Sequence, residues 1–299
     1  METAYQEVLR HYQKEEVKRE IASYATGRWV GLHCEETDSK GRRRIIRYTA
    51  KGRPLTLSKP SDVEYVFKAW RRLRPRTFYA TTLIYEGLTT DSYVGLSNAT
   101  ACTPTWDVDN EADKWKATIE AAIAIVNLLD KVGVSKSVYA LWSGRGIHVR
   151  VNQEAVSREL RSRVPPLDLA FALVEYVRSR LTPLIADISA RFCASGLTVE
   201  NRMDPQRMFT CPLSLHRELP VVCVAMSPEE LKDFDPSWTR IEGYRHNDAA
   251  WRRVIPGEAD EAAMKAHELV GGYPYRRRRV RKHPPLDEMI RTGLKKWNA

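Results

Sequence analysis

The chain is poor in cysteine and has no long apolar run, and both absences narrow its class. Its five cysteines, Cys34, Cys102, Cys193, Cys211 and Cys223, are scattered and odd in number. No two form a C-x-x-C pair, so neither a disulfide framework nor a zinc ribbon organises the fold, and a reducing, intracellular compartment is expected. The longest apolar candidate, Ala121 to Leu129, falls well short of the ~20 residues a membrane helix needs, and no membrane partner is expected. The opening METAYQEVLRHYQKEE is charged and lacks an apolar h-region, which argues against a secretory leader. Internal repeats and low-complexity tracts are also missing, apart from one arginine run.

What is present is an ordinary globular composition with an uneven charge. Of 299 residues, 43% are hydrophobic and 29% charged, enough to bury a sizeable core. The formal net charge of +10 is concentrated at one end. Residues from Arg276 to Ala299 hold nine Lys/Arg against two Asp/Glu, leaving only +3 for the preceding 275. A polyanionic partner is suggested, chiefly by that short segment. The linker GGYPYRRRRVRKHPP, rich in Gly, Pro and charge, is the best candidate boundary. A main domain over 1–255 and a helical, basic C-terminal extension over 256–299 are therefore expected.

Hydrophobic periodicity predicts a helix from about Thr3 to Tyr24, with Tyr5, Val8, Leu9 and Tyr12 on one stripe. RWVGLHCEE and RRRIIRYTA, joined by TDSKG, read as a β-hairpin. Ser61 is a candidate N-cap for a helix to about Leu73, and TFYATTLIY and ACTPTWDVD read as strands. A helix from about Glu111 to Lys131 follows, then strands SVYALW and IHVRV around an SGRG turn. Helices are expected over Asp168 to Leu181, Leu184 to Cys193, Asp260 to Leu269 and Leu286 to Trp297, with extended structure in RMFTCPLSLH and LPVVCVAM. Without a clean βαβ alternation, this pattern predicts an α/β (α+β) fold with a mixed, largely antiparallel sheet flanked by helices.

Three segments carry candidate chemistry. In Trp106-Asp107-Val108-Asp109 the acids lie two apart on a strand, so they share a face about 6.5 to 7 Å apart while Trp106 and Val108 point into the core. Carboxylates so placed suit hard divalent cations with oxygen ligands. Asp233-Phe234-Asp235 has the same pattern, but it follows a helix-like PEELK and precedes Pro236, so it reads as a turn. In the second segment, Ser143-Gly144-Arg145-Gly146, turn amides and a guanidinium suit a phosphate, with His148 on the next strand and Arg150 on the same face. The third, VENRMDPQRMFTCPLSLHRE, offers Glu200 or Asp204 as a third carboxylate, Arg207 for phosphate, and Ser214, His216 and Arg217 for a nucleotide.

The order DVD, then SGRGIH, then an acid followed by R-x-F-x-x-P-x-S-L-H resembles the three motifs of the archaeo-eukaryotic primases, most like the archaeal small, catalytic subunit. LRHYQKEEVKREIA, RRIIRY, RPRTFYATTLIYEGLT and PEELKDFDP extend the likeness over about residues 5 to 240. The resemblance implies a primase-polymerase fold and metal-dependent nucleotidyl transfer that makes or extends primers on single-stranded DNA. It implies Mg²⁺ or Mn²⁺ on Asp107, Asp109 and a third acid. Residue type favours Asp204 for that acid and spacing favours Glu200. It assigns nucleotide binding to Ser143, Arg145, His148, Arg207, Ser214, His216 and Arg217, the first three on the phosphates. Nucleoside triphosphates, a single-stranded template, and a large primase subunit or replication helicase would be the partners, in a cytoplasmic, nucleoid-associated setting. The alternatives are a repair-type polymerase of the same superfamily and a non-catalytic nucleic-acid-binding subunit with a decayed site, against which intact Asp107, Asp109, Ser143, His148 and His216 argue. The chain departs from the family at three points. Thr210 replaces the second arginine, and Glu218 replaces a lysine, with Arg217 beside it. An uninterrupted helix stands in place of the Cys-rich insertion, so no zinc site is expected.

Overall fold

The computed structural model describes residues 2–88 and 98–275. The opening stripe forms two helices instead of one, α1 (Glu2–Gln13) and α2 (Glu15–Ala25). They part at Lys14, whose φ of −63° and ψ of 129° are extended, and Glu15 and Glu16 then occupy the first turn of α2, where the helix dipole favours acids. The expected hairpin is present. Strands β1 (Val30–Thr37) and β2 (Arg43–Ile46) pair antiparallel, and Asp38 accepts the amides of Lys40 and Arg42 in the turn. Helix α3 (Pro60–Ala69) begins after Lys59, earlier than Ser61 suggested, because the Asp62 carboxylate accepts the amides of Ser58 and Lys59.

Two stretches that read as single strands divide. TFYATTLIY contributes to β3 (Pro75–Thr81) and β4 (Leu83–Tyr85), and ACTPTWDVD to β5 (Ala99–Cys102) and β6 (Thr105–Asp109). Strands β4 and β5 pair with each other, while β3 and β6 enter different sheets. The buried Arg28 guanidinium holds the corner, donating to the Thr81 and Thr82 carbonyls and to Thr103 Oγ1. After β6 come α4 (Trp115–Lys131), β7 (Val138–Trp142), β8 (Ile147–Val151) and α5 (Arg158–Arg163). Next is α6 (Pro166–Phe192), which runs through Pro183 where two helices were expected. Leu181, Ile185 and Ile188 are buried on either side of the proline, so packing outweighs the lost backbone bond. Strands β9 (Thr198–Glu200), β10 (Met208–Thr210) and β11 (Val224–Met226) and helix α7 (Asp260–Val270) follow.

Among the described residues the strands form a four-stranded sheet, β10-β3-β1-β2, and a five-stranded sheet, β11-β7-β8-β6-β9, with antiparallel pairing throughout. The expected mixed α/β architecture with largely antiparallel sheets is therefore correct. One face of the larger sheet, with Trp106, Val108, Ile147 and Val149, is fully buried beneath α4 and α6, and Trp106 Nε1–H donates to the Val174 carbonyl at 3.1 Å. Period-two alternation sends Asp107, Asp109, His148 and Arg150 to the opposite face. The smaller sheet is covered on one side by α1 to α3, where Tyr12 packs on Phe67 and Phe78. The sheets meet at Phe209 of β10, its ring 4.5 Å from that of His148.

Asp233 ends a short 3₁₀ helix and Asp235 caps the next, so neither lies on a strand, and Phe234 between them stacks on Trp142. Helix α7 packs on α6 through Ala262, Ala263 and Ala266, and the Glu258 carboxylate accepts the amides of Ser135, Lys136 and Ser137. The Arg276–Lys282 run and the helix expected from Leu286 to Trp297 lie outside the described residues.

Candidate active site

The three segments converge on one cleft of about 420 Å³ between the sheets, lined by Asp107, Asp109, Ser143, Arg145, His148, Arg207, His216 and Arg217 among others. Two glycines make the convergence possible. A Cβ on Gly146 would stand 2.2 Å from the Val108 carbonyl oxygen and 3.0 Å from Asp109 Oδ1. One on Gly144, whose φ is +141°, would stand 2.5 Å from the His216 ring. The SGRG turn is thus pressed against the acid strand on one side and against the third segment on the other. Arg145 adds a weak tie, its Nη2 lying 3.8 Å from Glu218 Oε2.

Asp107 faces His148 directly across β6 and β8. The His148 Nε2 lies 3.2 Å from Asp107 Oδ1, and its Nδ1 lies 3.2 Å from Arg150 Nη2. Guanidinium only donates, so Nδ1 accepts and Nε2 carries the proton toward Asp107. Burial acts to raise the Asp107 pKa, but the His148 hydrogen bond, with Arg202 and Arg207 behind it, holds it below the ordinary carboxylate range. Asp109 is shifted the other way: burial first, then the Asp107 charge and that of Glu200, push its pKa up. Two unlike carboxylates on one face result, one held ionised and one under repulsion. A carboxylate-only donor set in that state fits a hard divalent cation, whose charge would relieve the repulsion on Asp109.

Of the two candidates for a third acid, backbone register sets Glu200, and not Asp204, beside the acid pair. Strand β9 pairs with β6 so that Glu200 stands directly opposite Asp107, and cross-strand partners lie ~5 Å apart at Cβ. Asp204 instead closes its own turn, accepting the Gln206 amide at 2.7 Å and pairing with Arg207 at 3.3 Å, and it lines an adjoining groove. The Glu200 carboxylate is turned onto Arg202, and among the described residues no three His, Cys, Asp or Glu are gathered as a ready metal cage. Glu200→Gln is expected to weaken the midpoint for Mn²⁺ at least tenfold, and Asp204→Asn to leave it within about twofold. A metal titration of activity on both variants checks this, and the reverse ranking would restore Asp204.

Ser214 lies apart from the cleft. It is fully buried, with Oγ accepting the Phe78 amide at 2.8 Å and 3.1 Å from the Tyr12 hydroxyl, so it ties β3 and α1 to the loop and does not line the cleft. Leu213 before it has a φ of +57°, and that turn sends Ser214 inward. His216 does face the cleft. Its Nδ1 accepts the amides of Glu218 and Leu219 at 3.0 and 2.9 Å, which leaves Nε2–H as the donor offered to a ligand. Arg76, which the sequence reading passed over, secures this loop by donating to the carbonyls of His216 and Leu219 while Glu35 accepts from it. Its place one residue after Pro75 on an ordinary strand gave no local signal.

Burial, aided by Arg217, lowers the His216 pKa to about 4, and burial leads the lowering of His11 and His33 to about 4 as well. An unfolded histidine titrates near its ordinary 6.5, so the unfolded chain takes up protons that the folded one refuses between pH 6.5 and 4. Stability from these groups is present above pH 6.5 and is lost as pH falls through about 4. The melting temperature should fall steadily across that window, and a flat profile by circular dichroism would contradict the neutral, buried assignment.

No family model matches the chain, and no curated protein matches it. Among solved structures it is similar to the polymerase domain of ligase D from Mycobacterium tuberculosis, solved in complex with DNA. The two share 14% identity with a TM-score of 0.54 over 89% of each chain. The likeness is one of fold: antiparallel sheets flanked by helices.

Proposed function

We propose that the chain is a primase-polymerase: a metal-dependent nucleotidyltransferase that starts or extends chains on single-stranded DNA. One observation carries the reading. Segments far apart in sequence interlock in a single cleft, with Gly146 against the Asp109 strand and Gly144 against His216, so acids and phosphate donors face one another. An acidic pair opposite neutral and cationic donors is the arrangement that transfer of a nucleotide from a triphosphate requires.

In this reading Arg145, Arg217 and the His216 Nε2–H hold the triphosphate, and the Ser143 turn presents its hydroxyl beside them. His148 keeps Asp107 ionised and correctly turned. Asp107, Asp109 and Glu200 would hold Mg²⁺ or Mn²⁺, which supplies charge neutralisation at the reacting phosphate. The 3′-hydroxyl of the growing strand gives its proton to solvent and attacks the α-phosphorus, a new P–O bond forms as the α–β bridge breaks, and pyrophosphate leaves. Positioning and fixed charge do most of the work of such a reaction.

Supplying labelled nucleoside triphosphates, Mn²⁺ or Mg²⁺, and single-stranded DNA with and without a primer tests the proposal. Short products on unprimed template are expected. Extension restricted to the primed template would move the assignment to a repair-type polymerase, a second reading that the likeness to a ligase polymerase domain favours. Tight DNA binding with no product in either assay would identify a non-catalytic subunit.

A further inference from the structure

The cleft continues into a second groove of about 500 Å³, which shares Tyr79, Arg207, Met208 and Arg217 with it. The floor of this groove is the open face of the four-stranded sheet. Pairing registers set His33 opposite both Thr77 and Ile45, and Gly31 opposite Tyr79, so these side chains share one face. Gly31 leaves room there for Met208, whose sulfur would lie 2.8 Å from a Cβ at that position. Along β2 and the residue after it, alternation places Arg43, Ile45 and Arg47 on the same side, with Ile45 52% exposed. The Arg43 guanidinium reaches the Arg217 carbonyl, and Arg47 lies 5.6 Å from the centre of the Trp29 ring. Neither arginine has a carboxylate partner among the described residues. Arg43 and Arg217 also help to depress the His33 pKa, which marks a positive field along this face.

Resting on the polymerase reading above, we propose that this open sheet face is the track for the single-stranded DNA template, with backbone phosphates on Arg43 and Arg47 and a base against Ile45 and Tyr79. Charges four residues apart on an extended strand are separated by ~13 Å, so they suit a polyanion laid along the groove and not one compact triphosphate. An apolar and aromatic floor between them suits bases without regard to sequence.

The test is binding of a labelled single-stranded oligonucleotide to the full chain across a salt series, by fluorescence anisotropy, without metal or nucleotide. Arg43→Ala/Arg47→Ala is expected to weaken binding at least tenfold at low salt. The slope of log affinity against log salt should become shallower by about 1.4, two contacts at ~0.7 each on a single strand. Arg43→Lys/Arg47→Lys should recover most of both, and the nucleotide KM on a saturating template should be unchanged in either variant. Unaltered affinity and slope would overturn the proposal. So would a raised nucleotide KM with normal DNA binding, which would give the groove to the triphosphate. Because the readout is binding, it separates the two readings: arginine-dependent DNA binding without product leaves the track standing and removes the polymerase assignment. Product formation with an unchanged salt slope removes the track alone.

Discussion

Converting Asp107 and Asp109 together to asparagine should lower nucleotidyl transfer by at least about 10³-fold and leave single-strand binding within about threefold. The expectation follows from where the charge is. Both side chains face the cleft, and neither contributes a positive group that a DNA strand would seek. Removing a preorganised electrostatic contact commonly costs 10² to 10³ in rate, and two are removed here with the cation they would hold. Asparagine keeps an oxygen that accepts the His148 N–H, so the Asp107 position should not collapse. The Asp109 change carries its own signature. Its folded pKa is raised, by burial first and then by Asp107, so its ionised form opposes folding once pH exceeds the ordinary carboxylate range. Metal-free Asp109→Asn alone should therefore melt no lower than wild type at pH 7, whereas Asp107→Asn gives up the stability of its depressed carboxyl. Added Mn²⁺ should raise the melting temperature of wild type only. Full activity in the double variant would sink the assignment of the cleft. Equal Mn²⁺ stabilisation of both proteins would move the metal elsewhere.

Gly146→Ala should be the most damaging added methyl group among the described glycines. Its Cβ would meet the Val108 carbonyl oxygen at 2.2 Å, and that obstacle is backbone in a paired strand. Val108 cannot retreat without loosening the pairing of Val108 with Ile147 and of Asp107 with His148. Overpacking of this kind costs about 1 to 3 kcal/mol, which in a chain of this size lowers the melting temperature by several degrees. Activity should fall further, by more than about 100-fold, because the displaced strand carries both acids. Gly144→Ala is the informative contrast. The nearest obstacle there is the His216 side chain, so the variant should mainly raise the nucleotide KM, with backbone strain from φ +141° added. Near-wild-type kinetics for Gly146→Ala would show that the acid strand and the SGRG turn are not mechanically joined.

Much of this cleft was legible in one dimension because its parts are local. The DVD alternation alone placed Trp106 and Val108 in the core and the two acids together, since period two is a property of any strand. The Asp38 turn and the paired hairpin strands were readable for the same reason. Placement was not legible where it depends on a partner distant in sequence. Residue type pointed to Asp204, but the register of β9 on β6 brings Glu200 to Asp107. Ser214 carries a hydroxyl in a nucleotide-like motif, yet the left-handed Leu213 turns it toward Tyr12 and Phe78. Arg76 became visible only when its guanidinium was seen to hold the His216 loop.

The sequence by itself determined the antiparallel α/β character, the acid pair and the SGRG turn, because backbone alternation and turn chemistry act over a few residues. Tertiary structure decided how β3 and β6 parted into separate sheets, that Glu200 stands opposite Asp107, and that Ile45 and Arg47 line a groove continuous with the cleft. Those outcomes depend on register and packing between distant strands, where a shift of one residue reverses every side chain, and no short window of sequence contains that information.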